Sequence, residues 1–146
     1  MKIAVRYFSK SKNENTRKLA KAMSEALGVE ALDISHPVDK DTDILFLGNS
    51  VYYEDVDPNV KSFIDNLELE KGTIYNFSSS AIRKSTHSQI KKCIEERKRK
   101  GETGLKLSDK EFFCKGEFGL MHKDRPNSCD LMNIKDFAKN VVAAYT

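Results

Sequence analysis

The sequence predicts an α/β domain built on a parallel sheet with helices on both faces. Three observations predict it. Short apolar segments of strand character alternate along the whole chain with segments of helical spacing. The run Ile44-Leu45-Phe46-Leu47-Gly48 is continuously apolar, as a central parallel strand covered on both sides requires. No internal repeat and no Pro-, Gly- or Ser-rich linker divides the chain, so residues 1–146 read as one domain with right-handed crossovers.

The elements follow in order. Lys2 to Phe8 alternates and then runs apolar (Ile3, Val5, Tyr7, Phe8), which predicts the first strand. From Asn15 the period changes: Leu19, Ala20, Met23, Ala26 and Leu27 fall at helical spacing, and Gly28 stands where a C-terminal cap belongs. Val29 to Ile34 predicts a short second strand and Ile44 to Gly48 the third. Asp57-Pro58 opens a helix, with Asp57 as N-cap, Pro58 at the first helical position, and Val60, Phe63, Ile64 and Leu67 on one side. Thr73 to Phe77 supplies a fourth strand; Ile90, Cys93 and Ile94 mark a helix that ends near Lys100, before Gly101. A fifth strand falls between Leu105 and Cys114, and Leu131, Ile134, Ala138, Val141, Val142 and Tyr145 carry a last helix.

Composition narrows the function classes. Of 146 residues, 39% are apolar and 32% charged, with 7 Gly and 3 Pro, which excludes disordered, collagen-like and low-complexity chains. A domain of this size removes roughly 70% of its unfolded surface from water, so it holds together without disulfides or a structural metal. Cys93, Cys114 and Cys129 form neither an even set nor a CxxC pair, and His36, His87 and His122 are scattered, which argues against disulfides or a metal site. The formal charge is +3, too small to call for nucleic acid. The longest uncharged runs, Ile44 to Tyr53 and Gly72 to Ile82, are well short of the roughly 20 residues that cross a bilayer. Arg6 interrupts the stretch that a signal peptide keeps apolar, so the expectation is a cytoplasmic protein with neither membrane nor nucleic-acid partners.

A parallel α/β sheet binds ligands at the carboxyl ends of its strands, at the topological switch point. After strand one, Ser9-Lys10-Ser11-Lys12-Asn13-Glu14-Asn15-Thr16 leads into a helix. Hydroxyls, amides and free backbone N–H groups at a helix start cradle a phosphate dianion, though Asn15 or Thr16 equally suits a plain helix cap. After strand three, the aromatics of Asn49-Ser50-Val51-Tyr52-Tyr53 can sandwich a planar ring or serve the core. After strand four, Ser78-Ser79-Ser80 offers backbone groups to a heterocycle edge, or is simply a loop.

Taken together, these stretches resemble the flavodoxin family over essentially the full chain. The resemblance rests on Tyr7-Phe8-Ser9-Lys10 with Asn15-Thr16-Arg17-Lys18-Leu19-Ala20, on Phe46-Leu47-Gly48-Asn49-Ser50-Val51-Tyr52-Tyr53, and on Pro58-Asn59-Val60-Lys61-Ser62-Phe63-Ile64. Phe113-Cys114-Lys115-Gly116 and Lys123-Asp124-Arg125-Pro126-Asn127, followed by Asp130-Leu131, are similar to the tail of one subgroup. No one of these motifs is decisive; their order and spacing carry the resemblance.

The resemblance implies a flavodoxin-like three-layer sandwich with a five-stranded parallel sheet of order 2-1-3-4-5. It implies non-covalent FMN, with Ser9, Ser11, Asn13, Asn15 and Thr16 holding the phosphate. Ser50, Val51, Tyr52 and Tyr53 would flank the isoalloxazine, and Ser78, Ser79 and Ser80 would face its pyrimidine side. The implied function is electron transfer between redox partner proteins, by a monomer or weak dimer with no catalytic residues. The rivals are an FMN-dependent NAD(P)H:quinone-type reductase and a flavodoxin-like module that has lost flavin. The phosphate loop departs from the family pattern in being longer and lacking its glycine.

Overall fold

The computed structural model describes residues 1–9, 15–52, 55–79, 85–101, 103–114 and 126–145, without the side chains of Val51, Tyr52 and Asp55. Its elements are β1 (Ile3–Tyr7), α1 (Asn15–Leu27), β2 (Ala31–Asp33), β3 (Ile44–Asn49), β4 (Val51–Tyr52), β5 (Asp55–Val56), α2 (Pro58–Asn66), β6 (Thr73–Ser79), α3 (His87–Lys100), β7 (Lys106–Leu107), β8 (Phe112–Cys114) and α4 (Ser128–Tyr145).

The main sheet runs β2-β1-β3-β6-β7, with β8 also on β6, and every pairing in it is parallel. Counting only these strands in chain order, this is the expected order 2-1-3-4-5, with the fifth place shared by two short strands. Between its pairings with Leu107 and Phe112, β6 advances three residues while the opposite chain advances five, so the polar stretch between them loops out of the ladder. Two-residue β4 and β5 add an antiparallel hairpin that periodicity did not foretell.

Alternation along the strands sends side chains to two cores. Ala4, Leu45, Leu47 and Ile74 pack against α2 and α3 through Val60, Ile64, Ile90, Cys93 and Ile94. Val5, Ile44, Phe46 and Phe77 pack against α1 and α4 through Leu19, Met23, Ile134, Ala138 and Val141. Gly48 belongs to this second layer, since a Cβ there would overlap the Phe77 ring. Gly28 takes φ +68° just past α1, and its N–H donates to the Ser24 carbonyl at 2.9 Å, as the cap reading requires.

The other helix starts are equally local. Asp57 caps α2, accepting from the Asn59 N–H at 2.8 Å, with Pro58 in the first turn. Asn127 and Asp130 cap α4 reciprocally: the Asn127 N–H donates to the Asp130 carboxylate at 2.8 Å, and the Asp130 N–H donates to Asn127 Oδ1 at 3.0 Å. None of the described helices is long and apolar enough to cross a membrane.

Candidate functional site at the carboxyl edge of the sheet

Parallel register alone gathers the strand ends. Tyr7 stands beside Gly48, Gly48 beside Phe77, and Phe77 beside Phe112. The residues that follow, Ser9 after β1, Ser50 after β3, Ser78 and Ser79 ending β6, and Cys114 ending β8, therefore share one edge. A backbone bond from the Phe8 N–H to the Gly48 carbonyl, 2.9 Å, extends the β1–β3 ladder to that edge.

Uncharged polar side chains are buried there. Asn49, Asn76, Ser78 and Thr86 are fully buried, and Ser79 and Thr16 nearly so. Asn49 Nδ2 donates to Asn76 Oδ1 at 2.7 Å, and Asn76 Nδ2 donates to Thr86 Oγ1 at 2.9 Å. The Thr86 N–H points at Ser78 Oγ, 3.4 Å away. This chain of amides joins the end of β3 through β6 to the residue that opens α3. A second contact, Thr16 Oγ1 to Ser79 Oγ at 3.3 Å, joins the start of α1 to the end of β6. Asn49 Oδ1 is sealed from solvent and has no hydrogen-bond partner among the described residues. A buried acceptor left this way costs about 1–3 kcal/mol.

Eight of the twelve expected cofactor-binding residues can thus be located, Val51 and Tyr52 by backbone alone. Ser9, Ser50, Ser78 and Ser79 sit at strand ends, and Asn15 and Thr16 are buried in the first turn of α1. Val51 and Tyr52 form the backbone of β4, turned back against β5. Ser11, Asn13, Tyr53 and Ser80 lie outside the described residues. The sequence reading omitted Asn49, Asn76 and Thr86 from the site. Its available signal was an amide at an inward-facing position of an otherwise apolar strand, Asn76 between Tyr75 and Phe77.

His87, at the start of α3, is engaged through its ring, Nε2 lying 2.9 Å from the Ser108 carbonyl. Cys93 and Cys114 are buried, Cys93 against the α2/α3 face and Cys114 in the α1/α4 core.

A cavity of about 940 Å³ opens beside this edge, between the end of β1, α2 and the helix-free connection 34–43. Ser9, Arg17, His36, Phe63 and Asn66 are among its lining, and among the described residues it touches the expected site at Ser9 alone. Its outer wall is anchored by Arg6. The Arg6 guanidinium is buried in β1 and donates to the carbonyls of His36 at 3.1 Å, Pro37 at 2.7 Å and Val5 at 3.0 Å. Burial pulls its pKa below the usual arginine value, against the opposing charges of Asp39, Glu30 and Asp33. At the cavity mouth the Ser35 hydroxyl and N–H donate to Asp33 and hold its carboxyl below the usual range.

The same architecture recurs in solved structures. Oxidised flavodoxin 1 from Bacillus cereus superposes with a TM-score of 0.69 over 98% of each chain, at 16% identity. The fold is that of the flavodoxins. A short-chain flavodoxin associated with a bacterial microcompartment shares this flavodoxin fold with a TM-score of 0.67 over the full length of both chains, at 15% identity. So does part of rubredoxin:oxygen oxidoreductase from Desulfovibrio gigas, with a TM-score of 0.71 over 98% of this chain and 35% of that one, at 14% identity. At the level of sequence, an uncharacterised protein of Methanocaldococcus jannaschii is 25% identical over 144 residues, covering 89% of this chain and 91% of its own. No family model matches.

Proposed function

We propose that the chain is an FMN-binding electron carrier that docks to redox partner proteins. The observation that carries the reading is the convergence of buried, uncharged polar groups on the carboxyl edge, where this fold takes its ligands. The residues present suit the group. Asn15 and Thr16 stand in the first turn of α1, whose free N–H groups and positive dipole end favour a phosphate. Ser9 and Ser79 flank that turn from β1 and β6.

Bound FMN supplies a centre that takes up and gives up single electrons. The protein's task is to hold it and exclude water. Thr16 and Ser79 fix the anion end against β6, and the amide chain from Asn49 to Thr86 fixes the spacing between the end of β3 and the start of α3. None of the described side chains needs to transfer a proton in this role.

Equilibrium titration of the purified protein with FMN and with riboflavin tests the reading. A phosphate-anchored site prefers FMN by several kcal/mol, at about 1.5–3 kcal/mol for each hydrogen bond to a charged group. Equal affinity for the two would remove the phosphate anchor, and no uptake of either would favour a module devoted to protein contacts.

The cavity beside Ser9 favours a second reading, an FMN-dependent reductase whose small acceptor enters from the α2 side. Steady NADPH oxidation with a quinone by the loaded protein would select it over the carrier.

A further inference from the structure

We infer that the cavity beside Ser9 seats an adenylate, so that the flavin this chain prefers is the dinucleotide FAD rather than FMN; the inference rests on the flavin reading above. Among the described residues the cavity meets the expected site only at Ser9, on the phosphate side, and Arg17 of α1 also lines it. A molecule that fills it therefore continues from the phosphate and not from the ring. Its volume, about 940 Å³, falls in the range that small-molecule sites use.

The β1–α1–β2 unit places its polar groups as an adenosine needs them. In parallel βαβ units that bind dinucleotides, the pyrophosphate lies at the start of the helix and a carboxylate after the second strand accepts from the ribose hydroxyls. Here Asp33 is the last residue of β2, pairs with Tyr7 of β1 and lines the cavity. Ser35 donates its N–H, at 2.8 Å, and its hydroxyl to Asp33 Oδ1, and His36 Nδ1 lies 3.6 Å from the same atom. Oδ2 has no hydrogen-bond partner among the described residues, so a side chain held by its neighbours keeps one carboxylate oxygen to accept from a diol. The glycines of dinucleotide-binding turns are absent between Phe8 and Thr16; what the chain shares with such units is the placement of helix start and carboxylate. The walls suit the base. Phe8, Ile34, Val38 and Phe63 are only partly buried, and each both packs on the α2/α3 core and lines the cavity. A flat heterocycle covers apolar surface of this kind. Asn66 Nδ2 donates to the Ser62 carbonyl at 2.9 Å, which leaves Oδ1 as an acceptor for an exocyclic amine. Lys40 Nζ pairs with Glu68 at 3.1 Å and ties the 34–43 connection to the chain after α2, so both walls are held.

Equilibrium titration with FAD and with FMN tests this, because FAD adds only the adenylate. The wild-type protein binds FAD about a hundredfold more tightly than FMN, the order of one hydrogen bond to a charged group and one stacked base. Asp33→Asn keeps the acceptor that Ser35 meets and removes the charge; it lowers FAD affinity about tenfold and leaves FMN affinity unchanged. Amide shifts at Phe63 and Asn66 accompany FAD binding and not FMN binding.

Equal affinity for the two flavins, FMN bound with FAD excluded, or FAD binding that leaves Phe63 and Asn66 unshifted overturns the inference, independently of how any variant folds, while leaving the flavin reading intact. A preference for FAD that survives undiminished in Asp33→Asn overturns it as well, and so does a parallel loss of FMN and FAD binding, which assigns Asp33 to structure alone. A wild-type protein that binds neither flavin overturns both.

Discussion

At the amino edge of the sheet Lys2, Asp39 and Asp41 are charged, exposed and paired; at the carboxyl edge Asn49, Asn76, Ser78 and Thr86 are neutral, buried and hydrogen-bonded. Lys2 Nζ lies 2.6 Å from Asp39 and 3.0 Å from Asp41, with Lys2 about half exposed and both carboxylates more so. Asp43 receives the Lys2 backbone N–H at 2.8 Å and pairs with Lys71 at 3.6 Å. Exposed pairs of this kind are screened by salt and each contributes about 0–1 kcal/mol. Burying Asn49, Asn76 and Thr86 instead commits the fold to a network in which every lost partner leaves a group desolvated. The difference teaches where a fold accepts risk: the charged edge loses little when a pair is broken, and the neutral edge, at the end where parallel α/β sheets take their ligands, loses more.

The largest effect expected from disturbing this contrast is at Asn76. Asn76→Ala leaves Asn49 Nδ2 and Thr86 Oγ1 buried without their partner, at about 1–3 kcal/mol each, so urea unfolding should report a loss of about 3 kcal/mol. A loss below ~1 kcal/mol would mean that water already reaches the network. Arg6→Met comes next. It withdraws a charged donor from the His36 and Pro37 carbonyls, and a destabilisation of about 2 kcal/mol is expected from hydrogen bonds of this type. Hydrogen exchange should rise in the 34–43 connection and leave the carboxyl edge protected; exchange rising equally at Ser78 and Ser79 would mean that the two regions are coupled.

The smallest effect belongs to the amino edge and depends on pH. The side-chain hydrogen bond from Lys2 holds the Asp39 carboxyl below its usual range, and the Lys2 backbone N–H does the same for Asp43. A carboxylate whose pKa is depressed on folding stabilises the native state above its unfolded value near 3.9, and that contribution disappears as pH falls through the lower folded value. Asp39→Asn should therefore unfold slightly more easily than wild type at neutral pH, and the gap should close as pH falls through the lowered folded value and also in molar salt. A gap that persists in acid would show that Asp39 acts through something other than its charge.

Much of the fold was legible because burial imposes periodicity on the sequence. The unbroken apolar run Ile44–Gly48 became a wholly buried central strand, and Asp57-Pro58 became the cap and first residue of α2. What escaped was short or non-local. The two-residue strands β4 and β5 have no period to read, and the fifth strand split because the polar residues Ser108 to Lys110 interrupt its ladder. At the site, hydroxyls and amides beside strand ends marked Ser9, Asn15, Thr16, Ser50, Ser78 and Ser79. The Asn49–Asn76–Thr86 chain joins residues 27 and 10 apart in sequence, and such a pairing leaves no local pattern. Arg6 escaped for the same reason: its partners at His36 and Pro37 are set by the path of a connection that no periodicity describes.

Amide chemical-shift mapping during an FMN titration tests the central claim most directly. The account predicts that shifts concentrate at the carboxyl edge, at Ser9, Asn15, Thr16, Ser50, Ser78 and Ser79, while Lys2, Asp43 and Lys71 at the opposite edge stay in place. Shifts centred on the amino edge, or a spectrum unchanged by saturating FMN, would contradict it.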